Sequence, residues 1–214
     1  ERWLLPDGVD EVLPPHARRL EELRRVMLDI FEGWGYSLVI PPALEYLDSL
    51  LSGSGGDLDL QTFKLIDQVS GRLMGVPADI TPQIARVDAY GQVFDLPRRY
   101  CYVGSVLNAL PDKFAGSRNP LQIGAELYGY SRIESDAEVI SLMLEVLTAA
   151  GISGVTLELG HMGLFHAICE TARFDEAIET RVLEMLVMKN TAGLEALLED
   201  SRVPSDVRQH LFAL

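Results

Sequence analysis

The sequence predicts an α+β fold built on a mainly antiparallel sheet flanked by helices, with a helical segment at its C-terminal side. Two observations predict it. The extended segments come as hairpins: TFKLIDQVSGRLMGV turns at Ser70 and Gly71, and YVGSVLNALPDKFAGSRNPLQIGAELYGY is two strands joined by a loop holding Lys113, Gly116 and Arg118. Helical periodicity gathers around these hairpins instead of alternating with single strands, which is the pattern of a segregated α+β domain. A doubly wound parallel sheet is disfavoured because no phosphate loop follows a strand: GSGGD has neither the lysine nor the flanking elements.

The elements follow in order. After Pro14 and Pro15, Leu20, Leu23, Met27, Ile30, Phe31 and Trp34 recur at three- and four-residue steps, which predicts an amphipathic helix ended by Gly33 and Gly35. SLVIPPALEY is a short strand stopped by Pro41 and Pro42, which cannot continue a hydrogen-bonded ladder. Residues 52–59, SGSGGDLD, read as a mobile surface loop. Thr81 followed by Pro82 predicts a helix start, the threonine capping and the proline at the first position. From Ser135 to Ala150 a strongly apolar helix carries Ile140, Leu144 and Leu147 on one face with Val139, Met143 and Val146 beside it, implying burial on most sides. VTLELG then reads as a strand, and residues 162–214 as helices broken at Phe174, Asn190 and Pro204.

Composition narrows the function classes. With 18 Lys plus Arg against 32 Asp plus Glu, the chain carries −14, which opposes nonspecific attraction to a phosphate backbone. The two basic clusters, Arg18, Arg19, Arg24, Arg25 and Arg98, Arg99, are interleaved with or near acids and read as solvated surface, so no nucleic-acid partner is expected. Cys101 and Cys169 lie in no metal-ligand spacing and are expected as reduced, buried thiols of a cytoplasmic protein. No apolar run approaches the roughly 20 residues that cross a bilayer, and the first residues lack the pattern of a signal peptide, so no membrane association is expected.

Candidate site residues come from strand alternation. A period of two puts Gln122, Gly124, Glu126, Tyr128 and Tyr130 on one face, with Leu121, Ile123, Ala125 and Leu127 on the other. The first face is either ordinary solvated surface or a site where glycine admits a ligand and Glu126 and Gln122 hold an ammonium group. Asp79 and Thr81 in PADITPQ offer a second carboxylate and hydroxyl, beside their simpler reading as helix caps. Arg118 and Lys113 read first as loop surface charges. His161 has no second ligand near it in sequence, and neither a zinc spacing nor a serine–histidine–aspartate arrangement occurs, so no metal, cofactor or catalytic group is expected.

The amphipathic helix followed by GYSLVIPPALEY, ADITPQIAR, PRRYCYVGSVLNA, RNPLQIGAELYG and SDAEVISL, in that order, resembles the catalytic core of histidyl-tRNA synthetase, a class II aminoacyl-tRNA synthetase, over roughly residues 5–165. The resemblance implies a class II synthetase-like core at 1–171 without the third motif, and makes 172–214 a helical segment, either an insertion or part of a C-terminal region. It implies a dimer interface on the first motif, residues 16–45, with Pro41 or Pro42 as the motif proline. Where the synthetases carry Arg-Pro-Glu-Gly-Thr, this chain has Pro77, Ala78, Asp79, Ile80 and Thr81, and the family's later amino-acid contacts match Gln122 and Glu126. These four, Asp79, Thr81, Gln122 and Glu126, are the implied histidine-like pocket.

The second motif departs from the family. Its Phe-Arg-x-Glu falls on Val106, Leu107, Asn108 and Ala109, so the arginine that grips the ATP α-phosphate is replaced, and a loss of several kcal/mol of transition-state stabilisation is expected. Arg118 matches a further family arginine and is a candidate anion contact. A synthetase core with damaged chemistry and a kept amino-acid pocket resembles the regulatory-subunit family of ATP phosphoribosyltransferase, down to the phrase QIGAELYG. That resemblance implies no catalytic residues, a short-form catalytic subunit as partner, and a part in the first step of histidine biosynthesis and its feedback by histidine. The alternative is an active histidine–tRNA ligase.

Overall fold

The computed structural model describes residues 4–52, 56–91, 97–110, 116–200 and 203–213. Lys113 lies outside them. The chain divides into two compact units, Glu1–Gly154 and Val155–Leu214.

In the first unit, α1 (His16–Gly33) leads to β1 (Ser37–Leu38), with Gly35 at φ +82° making the turn. A larger residue is strained there, so the glycine is required by backbone shape. The long hairpin, β5 (Arg98–Ser105) and β6 (Leu121–Tyr128), is antiparallel, and β1 joins β5 in parallel to complete a three-stranded sheet. A second antiparallel sheet orders β2 (Glu45–Tyr46), β4 (Leu73–Val76) and β3 (Phe63–Ile66). The turn between β3 and β4 is where the sequence places it. Asp67 accepts from the backbone N–H groups of Val69 and Ser70, and Gly71 takes φ +71°. Short helices α2 (Leu47–Leu50) and α3 (Gly56–Gln61) lie between β2 and β3, so the predicted loop at 52–59 is helical from Gly56, and residues 53–55 lie outside the described residues.

One face of the hairpin carries Cys101, Ile123 and Ala125 into a core with Phe31 and Tyr36 from the α1 side and Leu142 of α5 (Ile133–Ala149). Helix α5 is locked to the sheet by polar bonds as well. Glu138 accepts a fork from Arg99 (2.6 and 2.7 Å) and a bond from the Tyr36 hydroxyl (3.0 Å), while the Trp34 indole donates to Glu145 (2.8 Å). The opposite face is not the open polar surface that alternation predicts. Helix α4 (Thr81–Tyr90) covers part of it, and Ile80, Ile84, Tyr102 and Val106 form a buried cluster there. A buried polar knot anchors α4: Glu45 accepts from Gln83 and from both arms of Arg86, and Gln83 also reaches the Pro42 carbonyl.

Three further expectations are corrected. Thr81 is not the cap of α4. Ile80 occupies that position, because the Asp79 carboxylate already takes the Thr81 N–H and the threonine hydroxyl turns to Tyr102. Residues 155–160 are exposed and form no strand, since alternating apolar residues supply propensity but no described strand offers them a partner. Within α5 only Leu142 is buried, although the helix is apolar on two sides.

The second unit is helical: α6 (Met162–Ala172), α7 (Glu176–Val187), α8 (Thr191–Asp200) and α9 (Ser205–Phe212). Their breaks fall where the sequence places them. Phe165 and Cys169 of α6 pack with Val182, Leu194, Leu198, Val207 and Leu211. That packing groups α6 with the helices that follow it, within the unit Val155–Leu214. Among the described residues no helix is long and apolar enough to cross a membrane.

The hydrogen bond from Arg99 holds the Glu138 carboxyl below its ordinary 4.5, so its stabilisation is complete above about pH 4.5 and is lost as pH falls through the lowered folded value. Glu138→Gln should therefore flatten the acid limb of a stability–pH curve measured by urea unfolding, at a cost of about 2 kcal/mol at pH 7. At Gly124 an added Cβ would sit 2.3 Å from the Tyr102 hydroxyl and 2.4 Å from its ring. Gly124→Ala should cost about 1–3 kcal/mol by overpacking, and the cost should largely vanish in a Tyr102→Ala background, a coupling readable in a double-mutant cycle.

Candidate functional site

Four sequence-singled residues, Asp79, Thr81, Gln122 and Glu126, come together on the α4 side of the hairpin. The segment between β4 and α4 carries Asp79 and Thr81, and β6 carries Gln122 and Glu126. The Gln122 amide joins the two. Its Nε2 donates to Asp79 Oδ1 (2.7 Å) and its Oε1 accepts from the Ile80 N–H (2.9 Å). Asp79 Oδ1 also accepts from the Thr81 N–H (2.9 Å), which fixes the carboxylate at the entrance to α4. Both arms of the amide are thus used on the protein itself, and the carboxylate is held in one place before any ligand arrives.

The residue that unites the group is one the sequence reading did not select. Tyr102 pairs with Gly124 across the hairpin, so its side chain points to the same face, and its ring lies against that glycine. Its hydroxyl is 3.1 Å from Thr81 Oγ1. Gly124 therefore accommodates the phenol, and Gly104 lies under Ile80. The glycines on this face make room for the protein's own side chains. The signal that could have found Tyr102 is the hairpin register, since every second residue of β5 must share the face of Gln122 and Glu126.

Electrostatics mark the face as acidic. Burial above all pushes the Tyr102 phenol up to about 12, the Thr81 bond works against this, and the carboxylates of Glu126 and Asp79 add to it. Tyr102 is thus a neutral hydroxyl at physiological pH, able to donate or accept. Tyr128 donates to Glu126 Oε2, and burial followed by that bond raises its phenol well above the ordinary value. At the far end Arg98 is forked on Asp88. No salt bridge among the described residues reaches Asp79 or Glu126. Two partly buried carboxylates flanking a phenol suit a ligand with cationic or N–H donor groups.

Arg118 sits elsewhere. Its Nε donates to the Asn108 carbonyl (2.9 Å), its Nη1 to the Asp7 carbonyl (3.0 Å), and its guanidinium lies over the Phe63 ring at 4.8 Å. No described hydrogen bond joins it to the four residues. Leu107, at the end of the first hairpin strand, gives its backbone N–H to the Pro77 carbonyl (3.0 Å). The arginines of the basic clusters are largely paired: Arg18, Arg24 and Arg25 with Glu22 or Glu21 on α1, Arg98 with Asp88, and Arg99 with Glu138.

A family model described as histidyl-tRNA synthetase matches residues 8–214. ATP phosphoribosyltransferase regulatory subunits from Thioalkalivibrio sulfidiphilus and Alkalilimnicola ehrlichii are 51% and 53% identical over 213 residues, covering 100% of this chain and 54% and 53% of theirs. The chain thus spans about half the length of the curated relatives it matches. A Bacillus halodurans crystal structure described as an ATP phosphoribosyltransferase regulatory subunit/histidyl-tRNA synthetase superposes with TM-score 0.86 at 28% identity, over 98% of this chain and 54% of that one. Histidyl-tRNA synthetase from a Nostoc species shares the fold, with TM-score 0.79 at 15% identity over 100% of this chain and 48% of that one. The chain belongs to the histidyl-tRNA synthetase family, with the class II synthetase-like fold, and its sequence is similar along its whole length to members named as regulatory subunits of ATP phosphoribosyltransferase.

Proposed function

We propose that this chain is the synthetase-like part of a non-catalytic regulatory subunit of ATP phosphoribosyltransferase, and that the face formed by Asp79, Thr81, Gln122 and Glu126 recognises histidine or a histidine-like group. The observation that carries the reading is the half-identity, over the full chain, to relatives bearing that name, together with a leucine at position 107 where the synthetases hold the α-phosphate with arginine. The anchoring of Arg118 on two carbonyls and an aromatic ring supports it, because that side chain is already committed to loop structure.

The partner is a short-form catalytic subunit, and the chain self-associates through residues 16–45 of the first motif. Histidine acts on the complex by binding one of its states more tightly than the other, since a ligand moves an equilibrium only through differential affinity. The four residues hold the ligand, and the transferase chemistry belongs to the partner.

Reconstitution tests this. With the short catalytic subunit, the protein should confer phosphoribosyl transfer that histidine inhibits, and it should show no histidine-dependent ATP–pyrophosphate exchange by itself. Glu126→Ala should raise the inhibiting histidine concentration roughly 10- to 100-fold, the loss expected for a charge-assisted hydrogen bond, while leaving uninhibited activity in place. Exchange at a synthetase rate would instead identify a histidine–tRNA ligase.

A further inference from the structure

Glu126 is held differently from the other carboxylates packed around the hairpin. Glu45, Asp88 and Glu138 each receive a forked arginine, from Arg86, Arg98 and Arg99 respectively. A fork of this kind fixes a carboxylate and cancels its charge in the same step. Among the described residues no cation forms an ion pair with Glu126. Its Oε2 accepts instead from the hydroxyl of Tyr128, two positions along β6 and therefore on the same face. Arg98, which the register sets across from Tyr128, is forked on Asp88.

The ring that carries this donor is itself fixed. Tyr128 packs against the buried cluster of Ile80, Ile84, Tyr102 and Val106, and its ring centre lies 6.2 Å from that of Tyr100, the residue opposite Glu126 in the register. Burial, then the bond to Glu126, raises its phenol well above the ordinary value, so the donor is neutral. We propose that Tyr128 is the positioning residue of the recognition face: it orients the Glu126 carboxylate through a neutral hydroxyl and leaves the negative charge for a donor group of the ligand. A carboxylate already tied at one oxygen has less rotamer freedom to lose on binding than one that turns freely. An arginine at this position would fix the group equally well, but it would cancel the charge. The inference rests on the reading that Glu126 contacts the ligand, and adds to it the residue that holds Glu126 ready.

The test is calorimetric titration of histidine into four forms of the purified protein: wild type, Tyr128→Phe, Glu126→Ala and the double variant. Phenylalanine keeps the ring and its packing, so the helical circular-dichroism spectrum should be unchanged. Tyr128→Phe should weaken histidine binding about 3- to 10-fold, the size of one net hydrogen bond, while the same change in the Glu126→Ala background should leave the affinity unaltered. A tyrosine with only a packing role would weaken both backgrounds alike. Full affinity in Tyr128→Phe, or an equal loss in both backgrounds, would overturn the role of Tyr128 and leave the reading of the site standing. Wild-type affinity in Glu126→Ala, or no binding by the wild type, would remove that reading and this inference with it.

Discussion

The packing of Tyr102 on Gly124 is the constraint from which the rest of the polar face follows. A buried phenol needs a partner for its hydroxyl, and Thr81 supplies it, which draws the start of α4 down onto the hairpin. With α4 there, Asp79 falls within reach of Gln122, and the amide closes the segment before α4 to the second hairpin strand. Any side chain at 124 would lift the ring and loosen each of these bonds in turn. Asp79, Thr81 and Gln122 are therefore set by the fold's own packing.

The helices on either side of the hairpin are placed by the same kind of device, a carboxylate holding a forked arginine. Glu45 with Gln83 and Arg86 ties α4 to the second sheet, and Glu138 with Arg99 and Tyr36 ties α5 to the first. Glu45 is buried, so its partners are obligatory: an unpaired charge in that position costs about 3–5 kcal/mol. In a chain of net charge −14, these arginines are engaged inside the architecture.

Much of this was legible in the residues. The spacing from Leu20 to Trp34, the turn at Ser70–Gly71, the alternation of Gln122 and Glu126 and the helical breaks after 162 each reflect a local rule, and each appears in the structure. What was not legible depended on contacts between distant segments. Alternation assigned a polar face but could not show Ile80 and Ile84 covering it, nor Tyr102 filling the space of a glycine. VTLELG has the composition of a strand without a described partner, and the Glu45–Arg86 pair spans 41 residues, beyond any periodicity. Gln122 and Glu126 were singled out by alternation and all four candidates by the family pattern, while Tyr102, which lies against them, was marked only by a register that needs both strands.

The central claim is that this face binds an amino acid although the chain performs no chemistry on it. Isothermal titration of histidine into the purified protein at neutral pH, with ATP absent, tests it most directly. The account predicts saturable heat that is lost in Thr81→Val and kept when histidine is added in the presence of ATP. A flat titration of the purified protein would contradict it.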